Sequence, residues 1–278
     1  MIVLIRNEIL KIATRWRTAI GFGAIALLMP LVLWGFHKGG SGIERNMNHA
    51  LQDQFIIVGS LFNGFLETYL VMNLLWVHIP FLVTLVASDV VAAEGATGTF
   101  RIYLTRSVSR LKILTAKFIA TWIYTAALII FFAFMSLGLG SLFLGTGDLV
   151  VLDSGILILP PEIAWLRFAL AFSLAIISMG VVATLTFMFS SMVNNGIGPI
   201  IGTMAVLLIG LAISTLPLDW FQTIKPYIFS SYLDLWRYAF YDPIPWNTIG
   251  KYVGILVLYI GGFAGIALFV FNRRDITT

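Results

Sequence analysis

The chain has 278 residues, 59% hydrophobic and only 11% charged, less than half the charged share of roughly 25% in a soluble domain. Such a sequence cannot clothe a soluble fold in polar surface, so composition points to lipid as the solvent and leaves room for a single membrane domain. The net charge of +4 is accounted for by its placement along the chain, without nucleic acid, and the lack of cysteine rules out disulfides and thiolate metal sites.

The chain opens with Ile2, Ile5, Ile9, Ile12 and Trp16 at steps of three and four, which predicts one apolar helix face. Arg6, Glu8, Lys11 and Arg15 fall elsewhere on that helix. Residues 1–17 are therefore expected to form an amphipathic helix in the inner membrane interface, its cations near anionic headgroups; the alternative is the inner end of the first span. The apolar run from Thr18 to Phe36 is as long as a membrane helix and has no A-x-A site after it, so an uncleaved first span is expected.

Further spans are expected near 67–88, 116–144, 164–190, 197–217 and 251–271, with six in all and both termini on one side. The fourth and fifth come from one long charge-free stretch, divided at Ser190–Gly196 where Asn195-Gly196 breaks the helix. Eleven of the 17 basic residues, including Arg6, Lys11, Arg15, Arg17 and those from Arg101 to Lys117, then share the side of the termini. The positive-inside rule makes that side cytoplasmic, N-in and C-in. The fold class expected is an all-α polytopic membrane protein, with a cytoplasmic loop at 89–115 and an outer loop at 218–250.

The outer loop carries Trp220, Tyr227, Tyr232, Trp236 and Trp246 among other aromatics and is interrupted by Pro226, Pro243 and Pro245. Aromatic rings with one polar edge settle at the membrane–water boundary. Short interfacial helices are expected there, either as an anchoring belt or as the rim of a gate.

Recognisable reaction chemistry is sparse. No G-x-x-x-x-G-K-[ST] occurs, so this chain has no Walker cradle for ATP phosphates. His37, His49 and His78 are scattered, which argues against a metal centre. Gly138, Gly140, Gly261, Gly262 and Gly265 sit in apolar runs, where small residues let helices approach closely. Glu67 and Arg167 fall at span edges and only His78 well inside, which disfavours a proton- or ion-coupled carrier. No catalytic, cofactor-binding or metal residue is assigned to this chain.

The 89–115 loop is the informative segment. Glu94, Gly98-Thr99, Thr105-Arg106, Ser109-Arg110 and Lys117 follow in order, and after the last span comes Phe271-Asn272-Arg273-Arg274-Asp275-Ile276. This pattern resembles the permease subunits of type-2 ABC transporters, the ABC-2 family; Ser107 stands where that family usually has proline and Ala96 where a second acid is common. The resemblance implies two paired permease subunits, each docking a separate ATP-binding cassette subunit that holds ATP and Mg. It further implies that Glu94, Gly98, Thr99, Arg101, Arg106, Ser109 and Arg110 form the coupling region, in a prokaryotic cytoplasmic membrane; since no large outer domain or dock for a substrate-binding protein is evident, an exporter is expected. Headgroup binding and topology could account for part of the arginines. Two other readings stay open. One is a lipid-acting membrane enzyme using Asp234, Arg237 or Asp242. The other is an ABC membrane subunit doing mechanical or regulatory work.

Overall fold

The structure, a computed structural model, describes residues 1–51, 62–96, 109–152 and 156–273. A short helix α1 (Ile2–Ala13) leads into α2 (Trp16–Leu51), whose apolar part is Trp16–Phe36. Next come α3 (Gly64–Leu75), α4 (Ile79–Ala87) and α5 (Asp89–Ala96). Helix α6 (Arg110–Leu144) is followed by a hairpin of β1 (Leu149–Leu152) and β2 (Ile156–Leu159). The remainder is α7 (Pro161–Met192), α8 (Ile197–Thr215), α9 (Asp219–Ile224), 3-10 helices at Lys225–Tyr227 and Phe229–Phe240, and α10 (Trp246–Arg273).

Among the described residues, five helices (α2, α6, α7, α8 and α10) are long and apolar enough to cross a membrane. The pair Gly64–Leu75 and Ile79–Gly95 passes the same test together, with a 59° bend between them. The chain is thus a mostly helical, multi-pass membrane protein with five or six spans. The expected second span is the bent one. His78-Ile79-Pro80 supplies the reason: Pro80 has no N–H and its ring disfavours a helical turn before it, so α3 ends and α4 restarts with proline in its first turn. His78, expected deep in a span, lies exposed at this bend, its Nδ1 3.3 Å from the Leu74 carbonyl.

Helix α7 is the axis of the bundle. Of its apolar stretch 72% is buried, against 11–28% for the other spanning helices, so those present most of their surface to the surroundings. Leu27, Phe134, Leu166 and Leu258 are among the large side chains turned outward. That apolar girdle is stable in lipid and would be an aggregation surface in water.

The interior is closed by small residues and aromatic edges. Helices α3 and α6 touch backbone to backbone: a Cβ on Gly64 would overlap the main chain of Gly140, and one on Gly140 would lie 2.7 Å from Glu67 Oε2. Gly140 therefore does what small residues do between membrane helices, whereas Gly261, Gly262 and Gly265 face open space. At this end Phe168 stacks on Phe65 with centroids 5.9 Å apart and meets Phe240 edge-on at 5.0 Å.

The hairpin of β1 and β2 is an addition to the expected all-α fold. Its antiparallel register pairs Leu149 with Leu159 and Leu152 with Ile156, and β-branched residues such as Val150, Val151, Ile156 and Ile158 suit short strands. Asn63 joins it to the bundle. Its side-chain oxygen accepts from the N–H groups of Phe65 and Leu66, capping α3, while its amide donates to Asp148 O at 2.8 Å.

Candidate functional site

The two ends of the bundle differ in chemistry. One end gathers α1, α5, the start of α6 and the end of α7, and there four charged side chains converge. Lys117, two turns into α6, is only 1% exposed in its side chain. Its ammonium donates to Glu8 Oε2 at 2.8 Å and the Val90 carbonyl at 3.0 Å, and lies 2.8 Å from Glu94 Oε1. Lys11 closes the ring, 2.8 Å from Glu8 Oε1 and 2.9 Å from Glu94 Oε1. Two cations and two anions give a locally neutral cluster, the condition under which charges can be buried. Burial of Glu8 opposes its ionisation, but the Lys117 and Lys11 ammoniums outweigh that and hold its carboxyl below the usual range.

A second tier supports the first. Arg17 pairs with Asp89 at 2.9 Å and Arg15 donates to the Asp89 carbonyl at 3.0 Å. Ser190, near the end of α7, places its hydroxyl against the start of α5. It accepts from the N–H groups of Val91 and Ala92 at 3.2 and 2.9 Å and donates to Ser88 O at 2.6 Å. A side chain from another helix thus caps α5, satisfying donors that a helix start leaves open. The segment that begins the 89–115 loop is consequently held from four helices: α1, α2, α6 and α7.

On α1, Glu8 and Lys11 thus turn to the bundle, while Arg6 is exposed. Glu8 and Ile12 are its buried residues, while Ile2 and Trp16 of the expected apolar face point outward. The ion pairs with Lys117 and Glu94 fix the face that packs, with Ile12 buried beside them. Glu8 is the lone acid among the first 43 residues, and Lys11 follows it at i+3; that isolated pair is the signal by which the cluster could have been suspected.

Of the residues expected at the coupling region, Glu94 joins the cluster. Ser109 caps α6 through its hydroxyl and Lys112 N at 3.4 Å, and Arg110 begins that helix. Gly98, Thr99, Arg101 and Arg106 lie outside the described residues.

A model of a protein family of unknown function, DUF2705, matches residues 23–277. The chain belongs to the DUF2705 family. The curated proteins contain no match. In this DUF2705 chain the matched region takes in Glu94 and Lys117 and starts after α1, which contributes Glu8 and Lys11.

The opposite, aromatic end of the DUF2705 chain divides the expected belt. Trp220, Tyr227 and Trp246 are exposed, but Tyr232 and Trp236 are buried. Trp236 packs against Trp76 at the bend of the broken span and against Tyr69 and Phe240. It is a wedge in the bundle and not part of a surface belt. Residues 229–240 are held down by Arg167 of α7, which donates to the carbonyls of Ala239 and Tyr241 and pairs with Asp242 at 3.3 Å. Asp242 is thereby separated in role from Asp234 and Arg237, whose own pairing is loose at 3.8 Å.

An ionisable group is also buried where the sequence predicts only a span edge. Glu67 is fully buried beside Gly140, with Thr68 3.4 Å from its Oε2. Its Oε1 has no hydrogen-bond partner among the described residues. Among those residues, no group of three or more His, Cys, Asp or Glu is arranged to hold a metal ion.

Proposed function

We propose that this chain is the membrane subunit of an ATP-driven transporter of the ABC-2 type, an exporter, and that its energy comes from a separate ATP-binding cassette subunit. In this reading the termini and residues 89–115 are cytoplasmic, the aromatic end faces outward, and two permease subunits pair in a prokaryotic cytoplasmic membrane.

The observation that carries the reading is the four-charge cluster. Glu94 and Lys117 bracket the motif-bearing loop, and 2.8 Å separates their charged groups. A loop that receives force from a partner needs a stiff base, or the motion is lost in bending. Here the base is a largely buried ion-pair ring reinforced by the Ser190 cap. Movement imposed on residues 97–108 would pass directly to α6 through Lys117 and to α7 through Ser190, the helix that forms the bundle axis. The basic residues Arg101, Arg106 and Arg110 belong to the segment that would meet the partner, where charge complementarity sets register.

Affinity purification from the native membrane tests this. An ATP-binding subunit should accompany the chain, and Arg106→Glu should release it or uncouple its ATP hydrolysis from transport. Normal assembly and transport by that variant would refute the assignment of the loop.

A further inference from the structure

The aromatic end contains a cavity of about 410 Å³, within the roughly 300–1,000 Å³ of small-molecule sites. Its floor is apolar, made by Trp76 and Pro80 at the bend of the broken span, Met179 of α7, and Met204 and Leu207 of α8. Its mouth is polar, with Lys225, Ser230, Ser231, Asp234 and Arg237. A neighbouring cavity of about 630 Å³ shares Lys225, Asp234 and Arg237 and adds Lys251. Three cations therefore face one carboxylate around the combined mouth. Arg237 Nε and Ser230 Oγ are buried there with no hydrogen-bond partner among the described residues; Nε meets Asp234 Oδ2 only at 3.8 Å, beyond hydrogen-bond reach, so the guanidinium keeps hydrogen-bonding capacity for an anion.

Depth and side access complete the picture. From Thr215 at the end of α8 down to Met204 is eleven residues, about 16 Å of helix, or half of a ~30 Å hydrocarbon layer. The cavity flank is not sealed towards the membrane: Val77 and Phe81 on one side, and Leu208 and Leu211 on the other, are each about half exposed. An apolar shaft of half-bilayer depth, open sideways to lipid and topped by cations, matches one kind of molecule.

We propose that this cavity is a binding site for a single acidic phospholipid, its phosphate at Lys225, Arg237 and Lys251 and one acyl chain descending between α4 and α8 to the bend at Trp76–Pro80. The site is independent of the coupling loop at the other end and of any ATPase partner. Shape and charge both enter the recognition: a zwitterionic lipid of the same chains offers the tail without the net charge, and a free phosphate offers the charge without the tail.

Native mass spectrometry of the purified chain, with phosphatidylglycerol and phosphatidylcholine of identical chains as probes, tests it. One phosphatidylglycerol should be retained per chain and phosphatidylcholine lost. Replacing Lys225 and Arg237 by glutamine should weaken retention about fivefold per cation. Leu211→Trp, a change at an exposed flank, should abolish it by blocking side entry. Unaltered melting temperatures in both variants would exclude unfolding as the cause. The proposal is overturned if the two lipids are retained equally, if both variants keep phosphatidylglycerol, if inorganic phosphate displaces it, or if Leu208→Cys cross-links two copies and so shows this flank covered by protein.

Discussion

Replacing Lys117 by methionine tests whether the four-charge cluster locks α1 to the bundle. The ammonium contacts Glu8, Glu94 and the Val90 carbonyl within 3.0 Å. Methionine keeps most of the volume but removes the charge, leaving two carboxylates to share Lys11 and the cluster with a net charge of −1. Removing one partner of a buried ion pair costs about 3–5 kcal/mol. That cost falls on the docking of α1 and α5, whose local opening is the cheapest release. A chain without cysteine allows a clean probe: Ile12→Cys places a thiol on the buried face of α1. With opening made easier by about 3–5 kcal/mol, maleimide labelling should accelerate by roughly two to nearly four orders of magnitude. Adding Glu94→Gln should restore much of the protection, since it returns the cluster to neutrality. Equal labelling of Ile12→Cys with lysine or methionine at position 117 would refute the argument.

Other consequences are more local. Glu8 has its pKa held below the ordinary 4.5, so its contribution to α1 docking is complete above that value and is lost as pH falls through the lowered one; hydrogen exchange of residues 2–13 should be equally slow at pH 7 and 5.5 after rate correction, and fast only in strong acid. Trp236→Ala should destabilise the protein by about 3–5 kcal/mol because it empties a fully buried site, while Trp220→Ala at the exposed rim should stay within about 0.5 kcal/mol, as compared by thermal unfolding in detergent. Gly64→Ala should cost about 1–3 kcal/mol or more by forcing α3 away from α6, with a lowered melting temperature and faster exchange in both helices.

Membrane crossing was legible because it depends on a property of long stretches, and the apolar runs of α6, α7, α8 and α10 survive as helices with ends shifted by a few residues. The break at His78-Ile79-Pro80 was written in its proline but hidden by the surrounding hydrophobicity, which continues unbroken through the bend. The charged residues were harder. Lys117 and Glu67 look like span edges in one dimension, and only packing reveals that both are enclosed. Spacing on α1 puts Glu8 on a polar face, yet pairing with a lysine more than a hundred residues away draws it inward beside Ile12. Trp236 shows the same limit: an aromatic in a loop between spans reads as an anchor, and a wedge differs from it only in what lies opposite. The hairpin escaped notice because each strand is four residues long, too short for periodicity to register.

The central claim, that this membrane bundle is driven through residues 89–115 by a separate ATPase, is tested most directly by ATP hydrolysis in the purified, reconstituted assembly. The account predicts an ATPase activity that co-elutes with the chain, is raised by its presence over that of the isolated ATP-binding subunit, and loses that rise with Glu94→Ala or Arg106→Glu. A homogeneous preparation that carries no ATP-binding subunit, or one whose hydrolysis is unchanged by both substitutions, would contradict it.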